Sequence, residues 1–153
     1  MIVTVTGHIT MSQTQKNMRA ITEIIVHCSA TPEGRHHTVG DIRAWHKQRG
    51  FKDIGYHYVV YLDGSIHAGR SEAVVGAHCT GHNKCSIGVC YIGGMTKDMK
   101  AAKDTRTEAQ KKALVQLLKQ LKKKYPGARI YGHRNFAAKA CPSFDAKKEY
   151  QDL

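Results

Sequence analysis

The segment TEAQKKALVQLLKQLKKKYPG, residues 107–127, has the pattern of a long amphipathic helix. Thr107 and Gln110 have the spacing of a capping box, in which each side chain bonds the other residue's backbone N–H. The apolar positions recur at three- and four-residue intervals and form one stripe: Ala113, Leu114, Leu117, Leu118 and Leu121. A helix with one apolar stripe must bury it against another element, so the rest of the chain has to supply a matching apolar surface.

Several strand patterns can supply that surface. The apolar run at 24–26 predicts a buried strand, and Asp63-Gly64 between two strand-like runs predicts a β-hairpin. Further strands are predicted in SIGVCYIGG and ARIYGHR, and a second helix in TVGDIRAWHKQRG. Thr38 and Asp41 have the spacing of a capping box at its start, and Gly50 is a suitable stop. This order predicts an α/β fold, with a single domain and a central mixed β-sheet flanked by helices.

The N-terminal residues have a weaker pattern than the rest. Residues 1–21 are predicted to be a weakly structured extension with a short strand at IVTV, and residues 22–153 to be the folded domain. The first 22 residues have no charged n-region and no uninterrupted apolar h-region, so we expect no signal peptide. No later stretch is long enough to span a bilayer.

The charge of the chain indicates a polyanionic partner. The 153 residues carry 24 Lys and Arg against 12 Asp and Glu, a formal net charge of +12. Nucleic acid, an anionic cell wall and an anionic membrane surface all satisfy that charge. Nucleic acid is the weakest of these interpretations because the aromatic residues are not interleaved with Lys and Arg as in single-strand binders.

The histidines and cysteines offer a possible metal site. His27 and His133 each end a predicted strand, where α/β sheets open onto ligand clefts, and Cys141 follows His133 at a spacing of eight. Two imidazoles and one thiolate would match the three protein ligands of a catalytic zinc. The spacing alone does not show that these residues meet, and Cys141 could instead be a buried filler, a disulfide partner or a nucleophile. Cys79 and Cys85 could pair only in an oxidising compartment.

Four motifs in order along the chain resemble the zinc-dependent N-acetylmuramoyl-L-alanine amidases, in particular the small amidase-type lysozymes of tailed phages, which are related to peptidoglycan recognition proteins. The resemblance covers about residues 22–148. It is carried by HCSAT at 27–31, IRAWHKQRGFKDIGYHYVVYLDGSIHAGR at 42–70, VGAHCTGHNKCSIGVC at 75–90 and AAKACPSFD at 137–145.

The resemblance implies roles for particular residues. It implies that His27, His133 and Cys141 bind one Zn²⁺ ion and that Tyr56 and Lys139 assist catalysis. It also suggests that three further residues contact the substrate, because two belong to a groove-forming loop and one neighbours the tyrosine: His78, Asn83 and His57.

The resemblance also implies a function and a setting. Members hydrolyse the amide between N-acetylmuramic acid and the L-alanine of the peptidoglycan stem peptide, using a zinc-activated water. For a phage-type endolysin we expect a monomer that stays in the host cytoplasm until the membrane is breached and then acts on the cell wall. Its net charge would hold it on that anionic wall. Some phage amidases of this group also bind the phage RNA polymerase, which the resemblance adds as a second possible partner.

Overall fold

A computed structural model describes residues 2–3 and 19–153, and within them six strands form one mixed sheet. The strands follow the order β1-β5-β4-β6-β2-β8 across the sheet, and β3 and β7 form a separate two-stranded sheet. The strands are β1 (Ile2–Val3), β2 (Glu23–Cys28), β3 (Thr31–Pro32), β4 (Tyr58–Val60), β5 (Ile66–Ala68), β6 (Ser86–Tyr91), β7 (Gly94–Met95) and β8 (Arg129–Gly132). The described helices are α1 (Val39–Gln48), α2 (Glu108–Lys124) and the short α3 (Ala146–Glu149).

The centre of the sheet is parallel and its hairpin edge is antiparallel. Strand β2 pairs in parallel with β6 on one side and with β8 on the other, and β4 pairs in parallel with β6. Strands β4 and β5 form the antiparallel hairpin predicted from Asp63-Gly64, and β1 pairs antiparallel with β5. The predicted α/β fold with a mixed sheet is therefore confirmed, and the carboxyl ends of β2, β6 and β8 lie side by side.

Helix α2 covers one face of the sheet. Its predicted stripe is buried, and Leu114, Leu117, Leu118 and Leu121 have no exposed surface. The stripe packs on side chains that point to this face from alternate strand positions: Ile24, Val26, Val60, Ile87, Val89 and Ile130. The alternation follows from the pleat of a strand, which sends successive side chains to opposite faces.

Helix α1 packs on the opposite side of the sheet. Val39 and Ile42 of this helix form a smaller apolar cluster with Ile54, Val59 and Ile92. Both α1 and α2 begin with the predicted capping boxes, Thr38 with Asp41 and Thr107 with Gln110. These local predictions are confirmed because capping depends on neighbouring residues alone.

The N-terminal segment is described only in part. The structure places a strand at Ile2–Val3, and the rest of the predicted IVTV strand and most of the predicted loose extension lie outside the described residues. Arg19 is already attached to the domain, because its guanidinium donates to the backbone carbonyls of Glu72, Asn83 and Ser86. Contacts with the domain therefore begin before the predicted boundary at residue 22.

The helices of the described residues are too short or too polar to cross a membrane.

Truncating the apolar stripe of α2 should destabilise the domain. Leu117→Ala removes a fully buried side chain and leaves a cavity, so we expect the free energy of unfolding to fall by about 2–5 kcal/mol. The matched control is Lys119→Ala on the exposed face of the same helix, which should change that free energy by less than about 0.5 kcal/mol. Urea denaturation followed by circular dichroism measures both. Equal effects would show that the stripe is not the core contact described.

Candidate active site

A cleft of about 580 Å³ opens at the carboxyl ends of the parallel strands. This is where ligands bind in open α/β sheets, because the loops that follow the strands surround a common space. The cleft contains side chains that follow β2 and β8, side chains from the loop at 76–85, and side chains from α1. Its walls include Cys28, Trp45, His46, Arg49, Phe51, Tyr56, His78, Asn83, His133, Phe136, Lys139 and Cys141.

His27 lies on the cleft face of β2, at a position only 1 % exposed. Its Nε2 atom is 2.8 Å from Nδ1 of His78, and Nε2 of His78 is 3.1 Å from the Ser86 hydroxyl. These contacts orient the His27 ring so that its Nδ1 atom faces the Cys141 sulfur. A hydrogen bond to the second ring nitrogen is the usual way in which a protein orients a ligating histidine.

Gly88 makes room for this arrangement. It lies in β6 beside β2, and a Cβ atom at this position would come within 2.7 Å of the His78 ring. Any other residue in place of Gly88 would therefore force the His78 ring or the strand backbone to shift. The glycine in the strand pattern SIGVC thus positions the histidine pair.

His133 and Cys141 are brought to the same place by the chain that follows β8. His133 begins a short 3-10 helix directly after the strand, and its ring centroid is 4.6 Å from that of His27. The loop to Cys141 folds back, with the Arg134 N–H donating to the Cys141 carbonyl at 2.7 Å. The Tyr91 hydroxyl donates to the carbonyl of Pro142, which holds the residue after the cysteine against the sheet.

The three predicted zinc ligands meet. One donor atom from each of His27, His133 and Cys141 lies within 4.8 Å of the others. The Cys141 sulfur is 3.8 Å from Nδ1 of His27, and the Cys28 backbone N–H donates to that sulfur at 3.3 Å. Two nitrogens and one sulfur at this separation form a donor set that suits Zn²⁺.

The protonation of these groups also fits a metal. Burial lowers the pKa of His27 far below its ordinary value, and burial followed by the charge of Lys139 lowers that of His133, so both rings are neutral near pH 7. The hydrogen bond with the Cys28 thiol and burial raise the pKa of Cys141 in the absence of a cation. A bound divalent cation reverses that preference, because it deprotonates a coordinating thiol.

Tyr56 and Lys139 both line this cleft. The Tyr56 ring centroid is 5.0 Å from that of His27, and burial raises the pKa of its phenol well above the ordinary value, so the hydroxyl keeps its proton. Lys139 is exposed, and its charge contributes to the lowered pKa values of both His27 and His133. The cleft thus contains one neutral hydroxyl donor and one cation beside the three-donor cluster.

The residues predicted to contact substrate occupy different positions. His78 is buried behind His27, although part of it reaches the cleft. Asn83 lines the cleft while its side-chain oxygen accepts from the backbone N–H groups of His78 and Cys79. His57 is fully buried and is not brought into the cleft, because its ring nitrogens bond the Gly88 N–H and the Val74 carbonyl.

One wall of the cleft is formed by residues for which the sequence predicts no role in a site. Trp45 and His46 of α1 line it together with Arg49, which directly follows the helix. His46 is buried, and its Nδ1 accepts from the Gly55 N–H at 2.8 Å. None of these three residues is predicted from the sequence to line a site. The signal available was that residues 45 and 49 are one helical turn apart, beside a helix face that packs on the sheet.

The sequence matches the family described as N-acetylmuramoyl-L-alanine amidase over residues 17–144. It is 46% identical over 143 residues to an endolysin of Enterobacteria phage T3 and 45% identical over 143 residues to an endolysin of Escherichia phage T7, in each case covering 92% of this chain and 93% of the relative. The fold is similar to that of the amidase LysC from Clostridium intestinale, with a TM-score of 0.73 and 28% identity, over 86% of this chain and 82% of LysC.

Replacing His57 with glutamine should weaken the dependence of stability on pH. Burial lowers the pKa of His57 to about 4, whereas an unfolded chain has a histidine pKa of about 6.5. The folded state therefore binds fewer protons, and the free energy of unfolding falls as the pH drops from about 6.5 towards about 4. Between about pH 7 and about pH 5 this histidine alone accounts for about 2 kcal/mol.

Urea denaturation of the metal-free protein at both pH values measures the effect. His57→Gln should be less stable than the unmodified protein at pH 7, because a flexible glutamine amide does not place its acceptor and donor as the rigid ring places its two nitrogens. It should nevertheless lose about 2 kcal/mol less between the two pH values. Equal losses in the two proteins would contradict a neutral, buried His57.

Proposed function

Because the chain belongs to the N-acetylmuramoyl-L-alanine amidase family, we propose that it hydrolyses the amide between the lactyl group of N-acetylmuramic acid and the L-alanine of the peptidoglycan stem. The observation that carries this proposal is the cluster of His27, His133 and Cys141, of which His133 and Cys141 line the strand-end cleft and His27 is buried beside them. A hydrolase needs an activated water and a place for a developing oxyanion, and this cleft has groups for both.

One zinc ion held by His27, His133 and Cys141 is part of the proposal. Bound zinc supplies a water molecule of lowered pKa and a Lewis acid for the scissile carbonyl. The neutral state of the two imidazoles supports the assignment, since a protonated imidazole cannot bind a metal. His78 has a positioning role, because it holds the His27 ring through its second nitrogen.

Tyr56 and Lys139 stabilise the charge that develops during hydrolysis. When water attacks the amide, the carbonyl oxygen becomes an oxyanion in a tetrahedral intermediate. The Lys139 ammonium is a cation on the cleft wall, and the protonated Tyr56 phenol is a hydrogen-bond donor close to His27. Donors placed before the reaction stabilise the oxyanion without a cost of reorganisation, and each is worth about 3–4 kcal/mol.

The substrate lies along the cleft in contact with residues from both walls. Asn83 presents its amide nitrogen from the loop at 76–85, because its oxygen is already bonded to that loop's backbone. Trp45 and Phe136 provide apolar surface on other parts of the wall. His57 lies outside the cleft and has a supporting role. Its ring bonds the Gly88 N–H and the Val74 carbonyl, and so holds strand β6, against which the His78 ring packs.

The activity and the net charge together indicate where the enzyme acts and which surface it binds. Endolysins are its relatives at 45–46% identity, and we propose the same role here, with the enzyme reaching the wall after the host membrane is breached. The net charge of +12 holds a monomer on the anionic wall. The polymerase partner implied by resemblance stays a prediction.

A peptidoglycan digest tests the reaction and its metal. The purified protein should release free L-alanine amino termini from peptidoglycan without producing new reducing sugar ends, because an amide and not a glycosidic bond is cut. Cys141→Ala should abolish this release, since it removes one zinc ligand, and a chelator should do the same until zinc is restored. New reducing ends would contradict the amidase assignment, and activity in Cys141→Ala would contradict the zinc assignment.

Lys139→Ala should lower kcat by about 10²–10³-fold while leaving the zinc content unchanged, because an oxyanion partner acts in the transition state. Steady-state kinetics on a soluble muropeptide and metal analysis of the same sample measure both quantities. Lys139→Arg should recover part of the rate because it keeps the charge. The control is Lys97→Ala, an exposed lysine outside the cleft, which should keep full kcat. Loss of zinc in Lys139→Ala would show that the lysine supports the metal site instead.

A further inference from the structure

A second group of potential metal ligands lies at the other end of β2. One donor atom from each of Glu23, His82 and Cys85 lies within 4.8 Å of the others. Glu23 begins the strand on which His27 is found four residues later, so the two groups are about 13 Å apart along the strand. The mechanism uses none of these three residues.

The cluster joins the start of β2 to the single 3-10 turn that His82 caps and Cys85 ends, with the Cys85 N–H donating to the His82 carbonyl at 3.4 Å. Glu23 is in the sheet, His82 ends the loop at 76–82, and Cys85 is in the short 3-10 helix Asn83–Cys85. The Thr22 N–H donates to the Cys85 carbonyl at 2.9 Å, which fixes the cysteine beside the strand. The His82 ring stacks on Phe136 with centroids 3.8 Å apart. The donor atoms are therefore already positioned.

The distances between donor atoms suit one small cation. Nδ1 of His82 is 2.8 Å from Oε1 of Glu23, and the Cys85 sulfur is 3.3 Å from the same oxygen. Oxygen, nitrogen and sulfur ligands about 2.0–2.3 Å from a tetrahedral zinc are themselves separated by about 3–4 Å. Small movements of these side chains would complete that geometry.

The charges and exposure of the cluster also favour a divalent cation. A carboxylate and a thiolate together carry two negative charges, which one Zn²⁺ neutralises, and an imidazole with a thiolate selects zinc over calcium or magnesium. The His82 side chain is 31% exposed and that of Glu23 is 16% exposed, so an ion can enter and a water can be its fourth ligand. Cys79 and Cys85 are free thiols in the structure, so no disulfide competes for Cys85.

We propose that Glu23, His82 and Cys85 form a second zinc site whose role is structural. Binding replaces the hydrogen bonds to Glu23 by ligand bonds, with the thiol proton released to solvent and the imidazole proton moved to Nε2. The ion then ties the start of β2 to the loop that carries His78 and Asn83 and to the aromatic stack with Phe136. The site therefore supports one wall of the cleft without taking part in the reaction.

Zinc content distinguishes the two sites. The metal-free protein is prepared with a chelator under a phosphine reductant, zinc is added, excess is removed by desalting, and bound zinc is counted by elemental analysis. The unmodified protein should hold two ions per chain. Cys85→Ser and His82→Gln should each hold one ion and keep amidase activity, whereas Cys141→Ala should hold one ion without activity. The double variant Cys85→Ser with Cys141→Ala should hold none. His36→Gln, which removes an exposed histidine outside both clusters, should hold two.

Thermal stability gives a second measurement. In the Cys141→Ala background only the proposed site remains, and zinc at about a hundredfold excess over its Kd should raise Tm by about 5–10 °C. Adding Glu23→Gln should remove that shift while circular dichroism confirms that the variant is folded. A single ion in the unmodified protein that disappears with Cys141→Ala would overturn the second site. Two ions without amidase activity would support this site and overturn only the proposed function.

Discussion

The parallel pairing of β2 with both β6 and β8 is the constraint on which the rest of the structure depends. Backbone hydrogen bonds on both edges fix the register of β2, with His27 opposite Cys90 and Val26 opposite Gly132. Because parallel strands end at the same edge, His27 and His133 emerge side by side although 106 residues separate them in sequence. A slip of one residue would turn His27 towards α2 and remove it from the cleft.

Successive side chains of β2 point to opposite faces of the sheet, so that one set packs in the core and the other faces the candidate site. Ile24 and Val26 are buried under α2, while His27 points to the opposite face. The α2 core can therefore hold the strand rigidly without occupying the space that a metal and substrate need. Gly88 in the neighbouring strand β6 has no side chain, and this leaves room for the His78 ring beside His27.

Local structure was predictable where neighbouring residues decide it. The two capping boxes, the Asp63-Gly64 hairpin and the apolar stripe of α2 are all found as expected. The three proposed zinc ligands were predicted through resemblance, and spacing alone left Cys141 with four possible roles. The α1 wall and the cluster of Glu23, His82 and Cys85 were not found in the sequence, because their members come together only when separate elements pack.

The sequence by itself determined the elements, the amphipathic faces and, through its motifs, the family. Periodicity and capping are properties of residues within a few positions of one another, so they can be read without a fold. Only the tertiary structure decided which side chains meet across long separations. It brought Cys141 to His27 and placed His78 against the His27 ring. It also placed His57 outside the cleft, where the ring bonds the Gly88 N–H and the Val74 carbonyl. These outcomes depend on strand register and loop packing, which result from contacts between residues that are far apart in the sequence.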